Sequence, residues 1–417
     1  MGKIYEKNRF YSLLRVYVDK MIESSYSEMQ VIGEENLPQD GAVIIAPNHC
    51  NTLMDPLVVL RARKEPTVFG ARADIFNNKT AAKALKFLRI LPMVRRRDGL
   101  RNVAKNHDSF DQIVETLESG MMYCMFCEGT HRPKHSLLPV NKGIVRIALS
   151  ANEKFGDKKP VYIVPAGIEY GDYFRFQATA LLQYGKPINV TEYVKDHADA
   201  FEADIYKDLM WKIADEISSL ITFIPDNELY SAKWTLTRIW AGHKGSPKKR
   251  LENNRRAAAK AETASEDLLA AAERFEAGRK KAHLSIKSFG KKNPVMNLIN
   301  KVIVGIILLP FFLYSTLMAL PIWGTSRIIC TKVKDPAFTN TVRFGVHLAL
   351  LPIMAIVWGV LLFIFLPWYA ALPMFIIALG ANVIHYRSLE YYRVLFSDFR
   401  LFGYPELVRQ YWDIKNR

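Results

Sequence analysis

Cysteine is scarce in this sequence: Cys50, Cys124, Cys127 and Cys330 are the only four in 417 residues. So few exclude a disulfide framework and point to a reducing compartment. Cys124 and Cys127 make the single C-x-x-C, inside an apolar run of strand character. Residues three apart on a strand face opposite ways, so the pair closes neither a disulfide nor half of a metal site, and no second pair completes one. Carboxylates are also short, 41 Asp and Glu against 57 Lys and Arg, leaving a net charge of +16. That balance favours anionic partners: phosphorylated substrates, anionic lipid or nucleic acid. An apolar leader is missing too, since Met1–Arg15 is polar and basic, and no secretory signal is expected there. Residues 1–27 instead read as an amphipathic helix, with Leu13, Leu14, Val16, Tyr17, Met21 and Ile22 at helical spacing. Such a helix suits an anionic lipid surface or the flank of its own domain.

Two further shortages divide the chain. Residues 231–301 are crowded with Lys, Arg, Ala and Glu and hold little that would form a core, so a solvated helical linker or helical hairpin is expected. Residues 302–323 and 344–384 lack Asp, Glu, Lys and Arg altogether. Runs of that length belong in a membrane. Lys291, Lys292 and Lys301 precede the first run, and Arg327, Lys332, Lys334 and Arg343 follow it. Both flanks then favour the cytoplasm, which predicts a re-entrant 302–323, a hairpin over 344–384, and a cytoplasmic tail at 386–417. Three simple spans are the alternative.

What is present in residues 28–230 is an alternation of strands and helices. Strands are expected at 28–33, 42–46, 67–71, 90–94, 121–126 and 161–167, with helices at 56–63, 79–88, 106–118 and 142–152. This order implies an α/β domain with a largely parallel sheet. Ligands of such sheets gather at the carboxyl ends of the strands.

Chemistry-bearing residues stand at those ends. Val43-Ile44-Ile45-Ala46-Pro47 is followed by Asn48-His49, and Asp55 comes six positions after His49. A histidine serves as a general base near neutral pH, and a carboxylate would fix its tautomer. The plainer reading makes Asp55 a helix N-cap before Pro56 at the first helical position. Arg95-Arg96-Arg97 follows the fourth strand, and guanidinium forks grip phosphate oxygens bidentately; a solvated or membrane-surface patch would look the same. Phe126-Cys127-Glu128-Gly129-Thr130 places a carboxylate before a glycine, or simply makes a turn. Pro165 closes a buried strand where it donates no ladder hydrogen bond, as an edge-protecting proline would.

In order and spacing, Asn48-His49…Asp55, Ile90–Arg95, Phe126–Thr130 and Val161–Pro165 resemble the four motifs of the glycerol-phosphate and lysophosphatidate acyltransferase superfamily (PlsC-like). The resemblance implies a PlsC-like domain followed by the charged linker and C-terminal membrane helices. It implies His49 as the base for the acceptor hydroxyl and Asp55 as its orienter. Asn48, Arg95, Glu128, Gly129 and Thr130 would bind substrate, with Arg95 on the acceptor phosphate and Pro165 on the acyl-donor side. Arg96, Arg97, His131 and Arg132 are further phosphate candidates. Acyl-CoA or acyl-ACP would be the co-substrate, membrane lipid a partner, and the catalytic domain cytoplasmic. Neither a metal, a cofactor nor a nucleophilic serine is needed for a thioester donor.

Departures from the common pattern bear on the acceptor. The His–Asp spacing is one residue longer, and with Asp-Pro-Leu after it looks like the fungal-type glycerol-3-phosphate/dihydroxyacetone-phosphate acyltransferase branch. Leu137-Leu138-Pro139…Lys142-Gly143 looks like that branch too. Arg89 stands where motif two usually opens with glycine, Cys127 where motif three usually has proline, and His131 where an arginine often follows Gly-Thr. The acceptor is then glycerol-3-phosphate or 1-acyl-glycerol-3-phosphate, with a lyso-aminolipid as alternative. A membrane scaffold and a nucleic-acid-binding protein are the non-enzyme alternatives; His49 with Asp55 argues against the first, the membrane runs against the second.

Overall fold

The computed structural model describes residues 4–6, 8–93 and 106–417. Arg95, Arg96 and Arg97 therefore lie outside the described residues. Two compact units are present: Met1–Glu23, Met29–Tyr173 and Ala180–Phe223 form one, and Ser24–Glu28, Phe174–Thr179 and Ile224–Arg417 the other.

The α/β unit is built on an eight-stranded sheet: β1 (Tyr26–Ile32), β2 (Ala42–Pro47), β3 (Thr67–Arg72), β4 (Ile90–Met93), β5 (Met122–Cys124), β6 (Val161–Tyr170), β7 (Ala178–Tyr184) and β8 (Ile188–Asn189). The order is β1-β7-β6-β2-β5-β3-β4, with β8 also pairing β6. Strand β2 runs parallel between β5 and β6, and β3 runs parallel to β4 and β5. Being flanked on both sides, β2 buries all six of its residues, which is why it reads as a continuous apolar run. Ala42, Ile44 and Ala46 share one face of it. They join a core with Ile113 and Leu117 of the helix Asn106–Glu118, Ile144 and Ile147 of the helix Lys142–Phe155, and Ile213 and Ile217 of the helix Glu202–Leu220.

Beyond Gly167 the chain departs from the expected parallel pattern. Strand β6 continues to Tyr170, and β7 and β8 return antiparallel to it. Pro165 is thus in an interior strand rather than at an edge. It lies where the flank of β6 changes from β8, paired at Tyr162 and Ile163, to β7, paired from Ala166 onward. Its carbonyl accepts the Gly185 N–H on that flank at 2.8 Å, so its missing donor falls in the gap between two ladders.

The second unit corrects the expectation of a solvated linker. The helices Tyr230–Ala241, Pro247–Glu262, Glu266–Lys281 and Pro405–Lys415 enclose a core of their own, including Leu236, Ile239, Ala261, Ala272, Phe275, Phe289 and Tyr411. Small alanines let the helices approach, and the last helix, expected as free tail, supplies part of that core. Buried charges are paired: Arg238 and Arg279 both bind Glu276, at 2.9 and 2.6 Å. Residues 302–323, expected to be re-entrant, lie within one unbroken helix, Pro294–Lys332. Pro310 and Pro321 do not break it. The next helix, Thr339–Phe365, ends before Pro367, and Trp368–Leu379 and Ala381–Leu401 meet at a 66° bend. Among the described residues two helices, Pro294–Lys332 and the stretch Pro336–Phe365, are long and apolar enough to cross a membrane, or three if the bent pair makes one span.

Candidate active site

Strand β2 delivers Asn48 and His49 to the carboxyl edge of the sheet. The Asn48 side chain accepts the Ile168 N–H at 2.6 Å and donates to the Ile168 carbonyl at 3.1 Å. Both ends of its amide are thereby occupied by β6, so Asn48, expected to bind substrate, anchors the chain from which His49 projects.

His49 Nδ1 lies 2.7 Å from Asp55 Oδ2. Asp55 is not the expected N-cap: its helix starts one residue earlier, as Met54–Ala62, with Asp55 in the first turn. Its carboxylate turns back to the preceding loop. There Oδ2 also accepts the N–H groups of Cys50 at 2.8 Å and Asn51 at 2.6 Å, and Oδ1 accepts the Tyr170 hydroxyl at 2.8 Å. Asp55 is fully buried, and His49 keeps 18% of its side chain exposed. A buried carboxylate with that many donors is held in one place. It accepts Nδ1–H from the imidazole, which leaves the Nε2 lone pair available to a substrate proton.

The loop after β5 braces the same histidine. The Glu128 carboxylate accepts the His49 N–H at 2.5 Å and the Leu138 N–H at 2.7 Å. The His49 carbonyl accepts the Arg132 N–H at 3.0 Å. Burial pushes the Glu128 carboxyl up to about 7, against the opposing pull of those two N–H donors. Gly129 sits at φ +67°, and a Cβ there would come within 2.8 Å of the Asn141 side chain. Asn141 in turn donates to the Cys127 carbonyl at 3.2 Å, so the Glu-Gly pair meets a packing demand as well as a conformational one. The Phe126 and His131 rings stand 4.5 and 5.6 Å from the His49 ring. Thr130 is half-buried in the same loop. Arg132 places its guanidinium 2.8 Å from the Ser136 hydroxyl.

Of the expected site residues, His49, Asp55, Glu128, Gly129, Thr130, His131 and Arg132 come together here. Pro165 is buried in register with Ala46, two residues short of Asn48. Two polar groups were missed by sequence reasoning. Tyr170 lies 115 positions from Asp55 and had no signal beyond closing an apolar strand. The Asn51 side chain, 1% exposed, has no hydrogen-bond partner among the described residues.

An imidazole–carboxylate pair thus stands at the carboxyl end of a central parallel strand, and comparison with known proteins gives the class. Residues 28–169 match the family model described as Acyltransferase. Over this stretch the chain resembles the PlsC-like glycerol-phosphate acyltransferases, the fungal glycerol-3-phosphate enzymes among them. It is 26% identical over 133 residues to glycerol-3-phosphate O-acyltransferase 1 of Saccharomyces cerevisiae, and 30% identical over 122 residues to glycerol-3-phosphate O-acyltransferase 2 of that yeast. These stretches cover 31% and 29% of this chain but only 17% and 16% of the relatives, so less than a fifth of their length is matched. A solved structure, the 1-acyl-sn-glycerophosphate acyltransferase PlsC from Thermotoga maritima, covers 52% of this chain and 83% of its own at 17% identity and a TM-score of 0.37.

Proposed function

We propose that this protein is a membrane-bound O-acyltransferase that moves an acyl chain from a thioester donor, acyl-CoA or acyl-ACP, to the hydroxyl of glycerol-3-phosphate. The observation that carries the reading is the 2.7 Å contact of His49 Nδ1 with a fully buried Asp55. Nε2 takes the proton from the acceptor hydroxyl as its oxygen attacks the thioester carbonyl. The tetrahedral intermediate collapses with loss of the thiolate, and the imidazolium returns the proton to that sulfur. Asp55 stabilises the imidazolium between the two steps. Arg95, with Arg96 and Arg97 beside it in sequence, would hold the acceptor phosphate. The two yeast relatives, both named glycerol-3-phosphate O-acyltransferases, support that acceptor over 1-acyl-glycerol-3-phosphate. The two helices of spanning length support membrane attachment, with the catalytic domain on the cytoplasmic face.

The test is purified full-length protein given labelled acyl-CoA or acyl-ACP and each acceptor separately. Lysophosphatidate formed from glycerol-3-phosphate, and its loss by at least a hundredfold in His49→Ala with unchanged melting, is the expected outcome. Phosphatidate formed only from lysophosphatidate would move the protein to the second acylation. Near-normal turnover by His49→Ala would overturn the mechanism.

A further inference from the structure

The α/β unit contains another imidazole–carboxyl pair, fully buried, that the acyl-transfer chemistry does not use. His135 Nδ1 lies 3.2 Å from Glu169 Oε1 and 3.2 Å from the Tyr173 hydroxyl oxygen. The carboxyl group of Glu169 is fixed in turn by Thr222. Its hydroxyl donates to Oε1 at 2.7 Å, and its N–H donates to Oε2 at 3.2 Å. An Nδ1–H given by His135 to Oε1 completes that set of donors. His135, Glu169 and Thr222 are all buried, so each bond is shielded from competing water.

The place of the pair in the chain gives it a task. Residues 131–141 form neither helix nor strand, yet this stretch supplies both backbone donors that brace His49. The Arg132 N–H goes to the His49 carbonyl, and the Leu138 N–H goes to Glu128, which also takes the His49 N–H. His135 sits midway between Arg132 and Leu138. A segment with no ladder of its own keeps its shape through such anchors. Glu169 is also the strand neighbour of Tyr170, whose hydroxyl holds Asp55. Consecutive strand residues face opposite ways. One face of β6 therefore fixes the loop that braces His49, and the other fixes Asp55. Tyr173 links the two arms, with its hydroxyl at His135 and its ring 6.0 Å from that of Tyr170.

We propose that His135 and Glu169 are positioning residues: together they latch the 131–141 loop onto β6 and so hold His49 in line with Asp55. The kinetic consequence rests on the reading of His49 as the base; the latch itself does not. Both residues are buried and act through the loop, so their loss is felt in the chemical step rather than in substrate binding.

Full-length protein in detergent serves for both parts of the test. In His135→Leu, which leaves Glu169 bonded to Thr222, peptides covering 47–52 and 129–141 should exchange amide hydrogen roughly tenfold faster. The helix Glu202–Leu220 should exchange as in the wild type. In the same variant kcat should fall about tenfold, with both KM values within about twofold of the wild type. His135→Asn returns an amide N–H close to the place of Nδ1–H and is expected to recover kcat to within about threefold. If His135→Leu does not fold, Thr222→Val removes only the hydroxyl on Oε1 and should move the same quantities in the same direction. Unchanged protection of 129–141 would overturn the latch. Lost protection with kcat intact, or equal losses of kcat in His135→Leu and His135→Asn, would overturn the positioning role. A wild type that transfers no acyl group, beside a loop that loses protection in His135→Leu, would sink the acyl-transfer reading and leave the latch standing.

Discussion

Asp55 receives hydrogen bonds from groups with very different sequence distances. Cys50 and Asn51 donate from the adjoining loop, while the Tyr170 hydroxyl arrives from the far end of β6. The local donors set the loop that presents His49; Tyr170 restrains the other carboxylate oxygen. Tyr170→Phe leaves that buried oxygen without this donor, at a cost of about 1–3 kcal/mol. Because Tyr170 acts through Asp55, its loss is expected to lower kcat roughly tenfold with little change in KM for either substrate. Steady-state kinetics on both substrates, beside a melting curve, check this; parallel rises in both KM values would point to collapse of the pocket instead.

At the scale of elements, Glu128 ties the end of β2 to the loop after β5. It accepts one N–H from each side of that junction, His49 and Leu138. Its carboxyl is pushed up to about 7 by burial, above the ordinary carboxylate value near 4.5. The folded chain therefore binds this proton more tightly than the unfolded chain. The stability linked to it is complete below about pH 4.5 and is lost as pH rises through about 7, on the order of 3 kcal/mol in all. Glu128→Gln cannot titrate, so the fall in melting temperature between pH 5 and 8 should flatten in that variant. Its amide also turns an NH2 group toward one of two N–H donors, so activity falls while the pH slope disappears. A melting profile as steep as that of the wild type would remove Glu128 from this role.

For the whole molecule, the long helix decides the topology. Thirty-nine residues at about 1.5 Å each extend roughly 58 Å, well beyond a bilayer core of about 30 Å. As a single span it would put its ends on opposite sides of a membrane, although both flanks are basic. Single cysteines in place of Lys292 and Lys334, in a background with Cys330 replaced by serine, should react with membrane-impermeant maleimide from opposite faces. Reaction of both from the same face would restore the re-entrant arrangement expected from the charges alone.

Local pattern was enough for β2, for the turn carrying Asn48 and His49 and for the helix Lys142–Phe155. In each the periodicity of apolar residues is set by neighbours one turn or one pleat away, so the sequence by itself determined them, while the membership of His49, Asp55 and Glu128 in one site was implied by the resemblance of their motifs to a family. Tertiary structure alone decided the rest. The antiparallel return of β7 and β8 depends on long-range pairing, which leaves no local period. Glu128 was legible as a site residue, but only the packed loops turn its oxygens onto the backbone of His49 and Leu138. The alanine-rich stretch after Tyr230 looked solvated because its core is shared. Phe275 meets Phe289 and Tyr411 across helices far apart in the chain, and a hydrophobic face completed by distant segments cannot be counted from any one of them.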